Sequence, residues 1–136
     1  MASVCRTFRL GAVTALALVL ASGMVLAQSS ERVRFAAGND NAAVEAEVTG
    51  DAYRDYVLGA AAGQTMAVSL ITDGTAYFNI LPPGSDGAAI FVGSNDGMDA
   101  SVELPDTGDY TIRVYLMGND KDSGQTVPFT LSMTIM

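Results

Sequence analysis

The chemistry open to this chain is limited first by the side chains that it lacks. The 136-residue sequence contains no His and one Cys, which is Cys5. Catalytic arrangements that need an imidazole or a pair of Cys and His, and zinc sites built from these groups, are therefore excluded. No glycine-rich loop leads from a strand into a helix, so a phosphate-binding site has no support. The groups left for catalysis or metal binding are the carboxylates of 15 acidic residues.

Two oxygen-rich segments contain the residue types that bind calcium. Residues 119–124 read NDKDSG and residues 95–99 read NDGMD. Calcium takes about six to eight oxygen ligands, which neither segment supplies alone, and Lys121 adds a positive charge. Asp and Asn are also common in turns because they favour turn geometry. Two carboxylates can therefore lie near each other in turns by chance, without forming a functional pair. We predict ordinary turns, with no metal, no cofactor and no enzymatic activity; a carboxylate-dependent hydrolase is the enzymatic alternative.

Exposed tyrosines indicate another function, which is contact with a protein partner. Tyr53 and Arg54 lie in residues 50–56, a polar segment that we predict to be a tight loop. Tyr and Arg are common anchors of protein interfaces. Tyr56 follows the alternation of the next strand and is assigned to the core, whereas Tyr115 falls on the outward face of its strand. Tyr53 and Arg54 are therefore the first candidate partner-binding residues.

The element that positions the second polar loop is a strand within residues 104–120. Its inward side chains alternate with outward ones, as in a half-buried strand; they are Tyr110, Ile112, Val114 and Leu116. Gly108, two residues before Tyr110, suggests a tyrosine corner, in which the phenol hydroxyl bonds to the backbone just upstream. The strand then leads into a polar loop over residues 118–126.

The remaining segments show the same period of two and no convincing helix. We predict a frayed lead-in over residues 28–31 and a strand over residues 32–35. Strands within residues 55–60 and 65–72 are predicted to form a hairpin through the Gly turn between them. Residues 127–135 show the clearest alternation. The pattern predicts an all-β, antiparallel, two-sheet β-sandwich of about eight or nine short strands.

The first 27 residues have the features of a cleaved signal peptide. Arg6 and Arg9 precede an apolar run over residues 10–20, which is shorter than the roughly 20 residues that span a bilayer. Cleavage would leave residues 28–136 as a single domain without cysteine, and hence without a disulfide. We therefore expect a periplasmic protein, with secretion as the alternative.

The mature part is strongly acidic. Without Arg6 and Arg9 it has five basic residues against 15 acids, a formal net charge of −10. This charge argues against nucleic acid and against an anionic membrane as partners. It would suit a basic protein partner, although solubility alone is a sufficient reason for an acidic surface.

Several segments resemble the periplasmic inhibitors of goose-type lysozyme from Gram-negative bacteria. They are residues 34–38 (RFAAG), 50–70 (GDAYRDYVLGAAAGQTMAVSL) and 104–120 (LPDTGDYTIRVYLMGND), and the closing strand VPFTLSMTI matches in pattern. Together they span nearly the whole mature chain. The layout is also similar to the wider class of bacterial pre-peptidase C-terminal-like β-sandwich domains, which share the corner motif.

The resemblance implies a non-enzymatic inhibitor that inserts two loops into the lysozyme cleft, here residues 50–56 and 118–122. Tyr53, Asn119 and Asp120 match the family pattern by position. The family carries basic residues around the Asn-Asp pair, whereas this chain has Gly118 and Asp122 there and Lys121 as its basic residue. The predicted partner-binding residues are Tyr53, Arg54, Asn119, Asp120 and Lys121. The alternative is a pre-peptidase-like envelope module that binds glycan or calcium without inhibiting lysozyme.

Overall fold

The computed structural model describes residues 28–36, 38–85 and 87–136, so the predicted signal peptide lies outside the described residues. The elements in chain order are β1 (Gln28–Arg32), β2 (Asn41–Thr49), β3 (Tyr53–Ala60), β4 (Thr65–Thr72), β5 (Ala76–Leu81), β6 (Phe91–Val92), α1 (Gly93–Asp96), β7 (Asp99–Glu103), β8 (Gly108–Leu116), α2 (Gly118–Asp122) and β9 (Thr126–Ile135). None of the helices in these ranges is long and apolar enough to cross a membrane.

The strands form two sheets that face each other across one core. One sheet has five strands in the order β1-β3-β8-β5-β6, and the other has four in the order β2-β9-β4-β7. Apolar side chains from both sheets fill the space between them, and those most fully enclosed include Tyr56, Met66, Phe78, Ile80, Tyr110, Ile112, Leu131 and Met133. The predicted all-β sandwich is therefore confirmed.

The alternation in β9 shows why the sheets meet in this way. Its burial alternates along the whole strand, because successive side chains of a strand point to opposite faces. The buried set is the predicted one: Val127, Phe129, Leu131, Met133 and Ile135. With β2 on one side and β4 on the other, β9 is an inner strand of the four-stranded sheet.

The tyrosine corner is confirmed at Tyr110. Its side chain is fully buried. The hydroxyl donates to the carbonyl oxygen of Asp106 at 2.6 Å and accepts from the N–H of Asp106 at 3.0 Å. These two bonds tie the connection between β7 and β8 to the core, which fixes where the chain crosses from one sheet to the other.

The predicted hairpin between β3 and β4 is wrong. β3 pairs with β1 and β8, whereas β4 pairs with β7 and β9 in the other sheet. The turn between them bonds to the segment before the corner instead, through Gly63 N–H to Leu104 O at 2.8 Å. Both strands bury alternate side chains in the same core from opposite sides, and alternation reports which face is buried but not which strand is the neighbour.

Four further segments differ from the sequence prediction. Residues 28–31 are part of β1, which is parallel to β3 and is thus an exception to the predicted antiparallel pairing. Residues 33–35 are not a strand. Helices α1 and α2 occupy segments predicted as loops. A strand that is exposed on both faces, like β1, shows no alternation of apolar and polar residues. Helices of four or five residues are too short to show a helical period. The hydrophobic pattern therefore could not reveal these elements.

Candidate partner-binding site

Three connections meet at one end of the sandwich, which we call the loop end: residues 50–52, 73–75 and 117–125. The N–H of Gly50 donates to the carbonyl of Gln125 at 2.9 Å. A Cβ at Gly50 would lie 3.3 Å from the Cα of Gly124, and Gly50 has a φ of 53°, so a side chain is disfavoured here both by space and by backbone conformation. The two loops identified from the sequence are therefore direct neighbours.

Asp120 holds two segments of the loop end together. Its Oδ2 atom accepts from the N–H of Thr75 at 2.8 Å and lies 2.9 Å from the Thr75 hydroxyl, which is also 2.6 Å from the carbonyl of Met117. The Thr75 N–H and, second, its hydroxyl lower the pKa of the Asp120 carboxyl. Through this oxygen the carboxylate holds α2 against the turn between β4 and β5.

We expect Asp120→Asn to lower the melting temperature at neutral pH. Because the folded state lowers the pKa of Asp120, the charged group stabilises the fold fully above its unfolded pKa of about 3.9. That stabilisation is lost as the pH falls through the lower folded pKa. Thermal unfolding followed by circular dichroism from neutral to strongly acidic pH should show the gap between wild type and variant closing. Asp122→Asn, at an exposed acid, is the control; an equal effect there, or a gap that does not depend on pH, would contradict the assignment.

Asn119 and Lys121 lie on either side of Asp120 and have exposed side chains. Their backbones are held, because the carbonyl of Asn119 accepts from the N–H and hydroxyl of Ser123 at 2.9 and 2.6 Å. The carbonyl of Lys121 accepts from Gly124 at 3.3 Å. An amide and an ammonium group are thereby presented to solvent from a backbone with defined geometry.

Tyr53 is the first residue of β3 and not part of a loop, which corrects the predicted boundary. Its ring lies under the Arg113 guanidinium, with the Arg113 Cζ 4.1 Å from the ring centroid. Arg113 in turn makes a two-pronged ion pair with Asp55, at 2.8 and 3.0 Å. Tyr53 is therefore held against the outer face of the five-stranded sheet at the edge of the loop end.

Two other tyrosines continue from Tyr53 across the sheet. In the strand register Tyr53 is opposite Tyr115, and Tyr115 is opposite Tyr77. The ring centroids of Tyr77 and Tyr115 are 6.3 Å apart, and the Tyr115 hydroxyl donates to Asn79 Oδ1 at 2.8 Å. Tyr115 lies on the outward face, as its alternation predicts. Tyr77 beside it, and the contact of Arg113 with Tyr53, could not be predicted, because strand pairing brings these residues together and sequence spacing does not.

Arg54 points away from Tyr53, as successive side chains of a strand must. Its guanidinium donates to the carbonyl of Glu47 and lies 3.4 Å from the Ser29 hydroxyl. It also lies near the buried Tyr56 ring, where burial raises the pKa of Tyr56 and the Arg54 charge partly offsets that rise. The structure therefore separates Tyr53 and Arg54 and uses Arg54 to connect β3 to β2 and β1.

Within the described ranges, no group of three or more His, Cys, Asp or Glu side chains is placed to hold a metal ion. Asp120, in the oxygen-rich segment of residues 119–124, accepts a hydrogen bond from the N–H of Thr75.

Solved structures similar to this chain include two inhibitors. The PliG protein of Aeromonas hydrophila, a periplasmic inhibitor of g-type lysozyme, is 34% identical, with 80% of this chain and 97% of that chain covered and a TM-score of 0.75. A mutant of PliG from Escherichia coli, also a periplasmic inhibitor of g-type lysozyme, is 25% identical, with 80% of this chain and 98% of that chain covered and a TM-score of 0.64.

A third similar structure shares the fold alone. The pre-peptidase C-terminal domain of a Bacillus anthracis collagenase is 14% identical, with 79% and 94% covered and a TM-score of 0.54. No protein-family model and no curated protein matches the chain. The identity to the Aeromonas hydrophila protein, over almost its full length, confirms the resemblance seen in the motifs: this chain belongs to the PliG family of periplasmic inhibitors of g-type lysozyme.

Proposed function

We propose that this chain is a non-enzymatic periplasmic inhibitor that binds g-type lysozyme through the loop end. The observation that carries the proposal is the 34% identity to the Aeromonas hydrophila inhibitor across 97% of that chain. Residues 28–136 would be the mature protein and would act as one domain, since both sheets share a single core.

The geometry of the loop end supports contact through α2. The Asp120 carboxylate is bonded to Thr75, while the side chains of Asn119 and Lys121 are exposed. Glycoside hydrolases act through carboxylates in their clefts, and an ammonium group near such a cleft is attracted to it. We therefore assign the projecting contacts to Asn119 and Lys121, and to Asp120 the role of holding them in place.

Tyr53 would supply the apolar part of the contact. Its ring is fixed by Arg113, so little side-chain entropy is lost when a partner covers it. Aromatic residues held in this way are frequent anchors in protein interfaces. Arg54, bonded to Glu47 and turned to the other face, would act on binding only through the position of β3.

The test is a titration of residues 28–136 into goose-type and chicken-type lysozyme assays at low and physiological salt. We expect inhibition of the goose-type enzyme alone, persisting at physiological salt. Tyr53→Ala and Asn119→Ala should each weaken it by roughly tenfold or more, the usual loss at an interface anchor. The matched control is Asn41→Ala, because Asn41 is an exposed Asn at the far end of β2 from the loop end.

Two results would refute the proposal. One is no inhibition by the folded wild-type protein at micromolar concentration. The other is inhibition of both lysozymes that disappears at physiological salt, since this would indicate only the attraction of an acidic protein to basic ones.

A further inference from the structure

A shallow groove lies on the outer face of the four-stranded sheet, next to the loop end. Its lining includes Glu45, Ile71, Thr72, Asp73, Pro128 and Phe129, and we call it the Ile71 groove. In the strand register Glu45 and Ile71 lie on either side of Thr130. Ile71 is 67% exposed, the highest value among the large apolar side chains that the structure describes as exposed. An apolar strip is thus left uncovered beside two carboxylates.

The sheet that carries the groove has charge of only one sign. Its four strands contain no Lys or Arg, and their acids are Glu45, Glu47, Asp99 and Glu103. The two ion pairs within the described ranges, Arg32 with Asp109 and Arg113 with Asp55, belong to the other sheet. Glu45 and Asp73 are exposed and take part in neither pair. Their negative charge therefore remains available to a partner.

The groove is continuous with the loop end. The hydroxyl of Thr72, in the groove wall, donates to the carbonyl of Pro128 at 3.0 Å and accepts from the N–H of Gly74 at 3.2 Å. The next residue, Thr75, bonds to Asp120. One short turn thus forms both the rim of the groove and the support of α2. A protein that covers α2 would lie directly beside the groove.

We propose that the Ile71 groove is a second contact surface for the lysozyme bound at the loop end, and that it takes a Lys- or Arg-bearing segment of that enzyme. The inference rests on the proposed function. The apolar stem of such a side chain would pack on Ile71 and Pro128, while its charged head reaches Glu45 or Asp73. A second copy of this chain is a poorer occupant, because it would bring like charges together.

The test compares Glu45→Gln/Asp73→Asn with a control that removes the same charge elsewhere, Asp40→Asn/Glu103→Gln. The control acids are exposed and do not line the groove. We expect the inhibition constant for goose-type lysozyme to rise about fivefold in the groove variant at low salt, with the difference shrinking as salt is added. The control should stay within about twofold of wild type. Ile71→Ser should weaken inhibition by about threefold at all salt concentrations, since it removes apolar contact.

The outcomes separate the two proposals. If wild type inhibits and the groove variants match the control, the groove is not part of the interface and the proposed function stands. If wild type does not inhibit, both proposals fail. If sedimentation shows a wild-type dimer that Ile71→Ser converts to a monomer, the groove holds a second copy and this inference is overturned.

Discussion

Replacing Tyr110 with Ala is expected to lower the free energy of unfolding by about 3–5 kcal/mol, the usual range for truncating a buried aromatic side chain. Tyr110 is fully buried within the sandwich core, and its hydroxyl makes both bonds to Asp106. Tyr110→Phe keeps the ring and removes only those bonds, which should cost about 1–2 kcal/mol. Urea unfolding of the two variants would separate the packing part from the corner part.

Tyr77→Phe is the matched control for the hydroxyl. Tyr77 lies on the outer face of the five-stranded sheet, half-buried beside Tyr115. Tyr77→Phe should change the free energy of unfolding by no more than about 0.5 kcal/mol, as is usual for surface substitutions. If Tyr110→Phe were no more destabilising than this control, the corner would be a consequence of the fold and not a contributor to its stability.

The core was predictable because strand period reports burial directly. Val127, Leu131 and Met133 are enclosed as their alternation required, and Tyr56 is buried as its place in the pattern indicated. The neighbours of each strand were not predictable in this way. β1 is exposed on its described side chains, so its parallel pairing with β3 leaves no hydrophobic signal in the sequence.

The candidate site was also predictable only where it depends on local sequence. Asn119 and Lys121 were identified from their local segment, and they are exposed where predicted. The partner of Asp120 is Thr75, 45 residues away in the chain, and no local pattern announces such a contact. Tyr53 and Arg54 were predicted together as residues of one loop, but the strand begins at Tyr53. Because both residues therefore lie in a strand, their side chains point in opposite directions.

The second large effect is expected at Gly93, where Gly93→Ala should lower the free energy of unfolding by about 3 kcal/mol, the upper end for overpacking. Glycine is the usual residue where a turn needs a positive φ, which would be one reason for Gly93. Its φ, however, is outside the left-handed region. A Cβ there would lie 3.0 Å from the backbone N of Phe78 and 3.3 Å from its carbonyl C, with the carbonyl O closer still. The requirement is therefore for space.

Phe78 cannot move aside to make that space. Its strand, β5, is bonded to β8 on one side and to β6 on the other. The Phe78 side chain is fully buried and stacks on Phe91, with the ring centroids 5.2 Å apart. Relief must come from shifting α1, which would also strain the 3.3 Å bond from the Gly93 N–H to Asn79 Oδ1.

The matched control is Gly87→Ala. A Cβ at Gly87 would meet nothing within 4 Å, and its φ also lies outside the left-handed region. That substitution should be neutral or slightly stabilising, because Ala restricts the unfolded chain more than Gly does. Denaturant unfolding of both variants measures the difference directly. Equal stabilities would mean that α1 can move away from β5 at little cost, and that the close packing of Gly93 on Phe78 is not required by the fold.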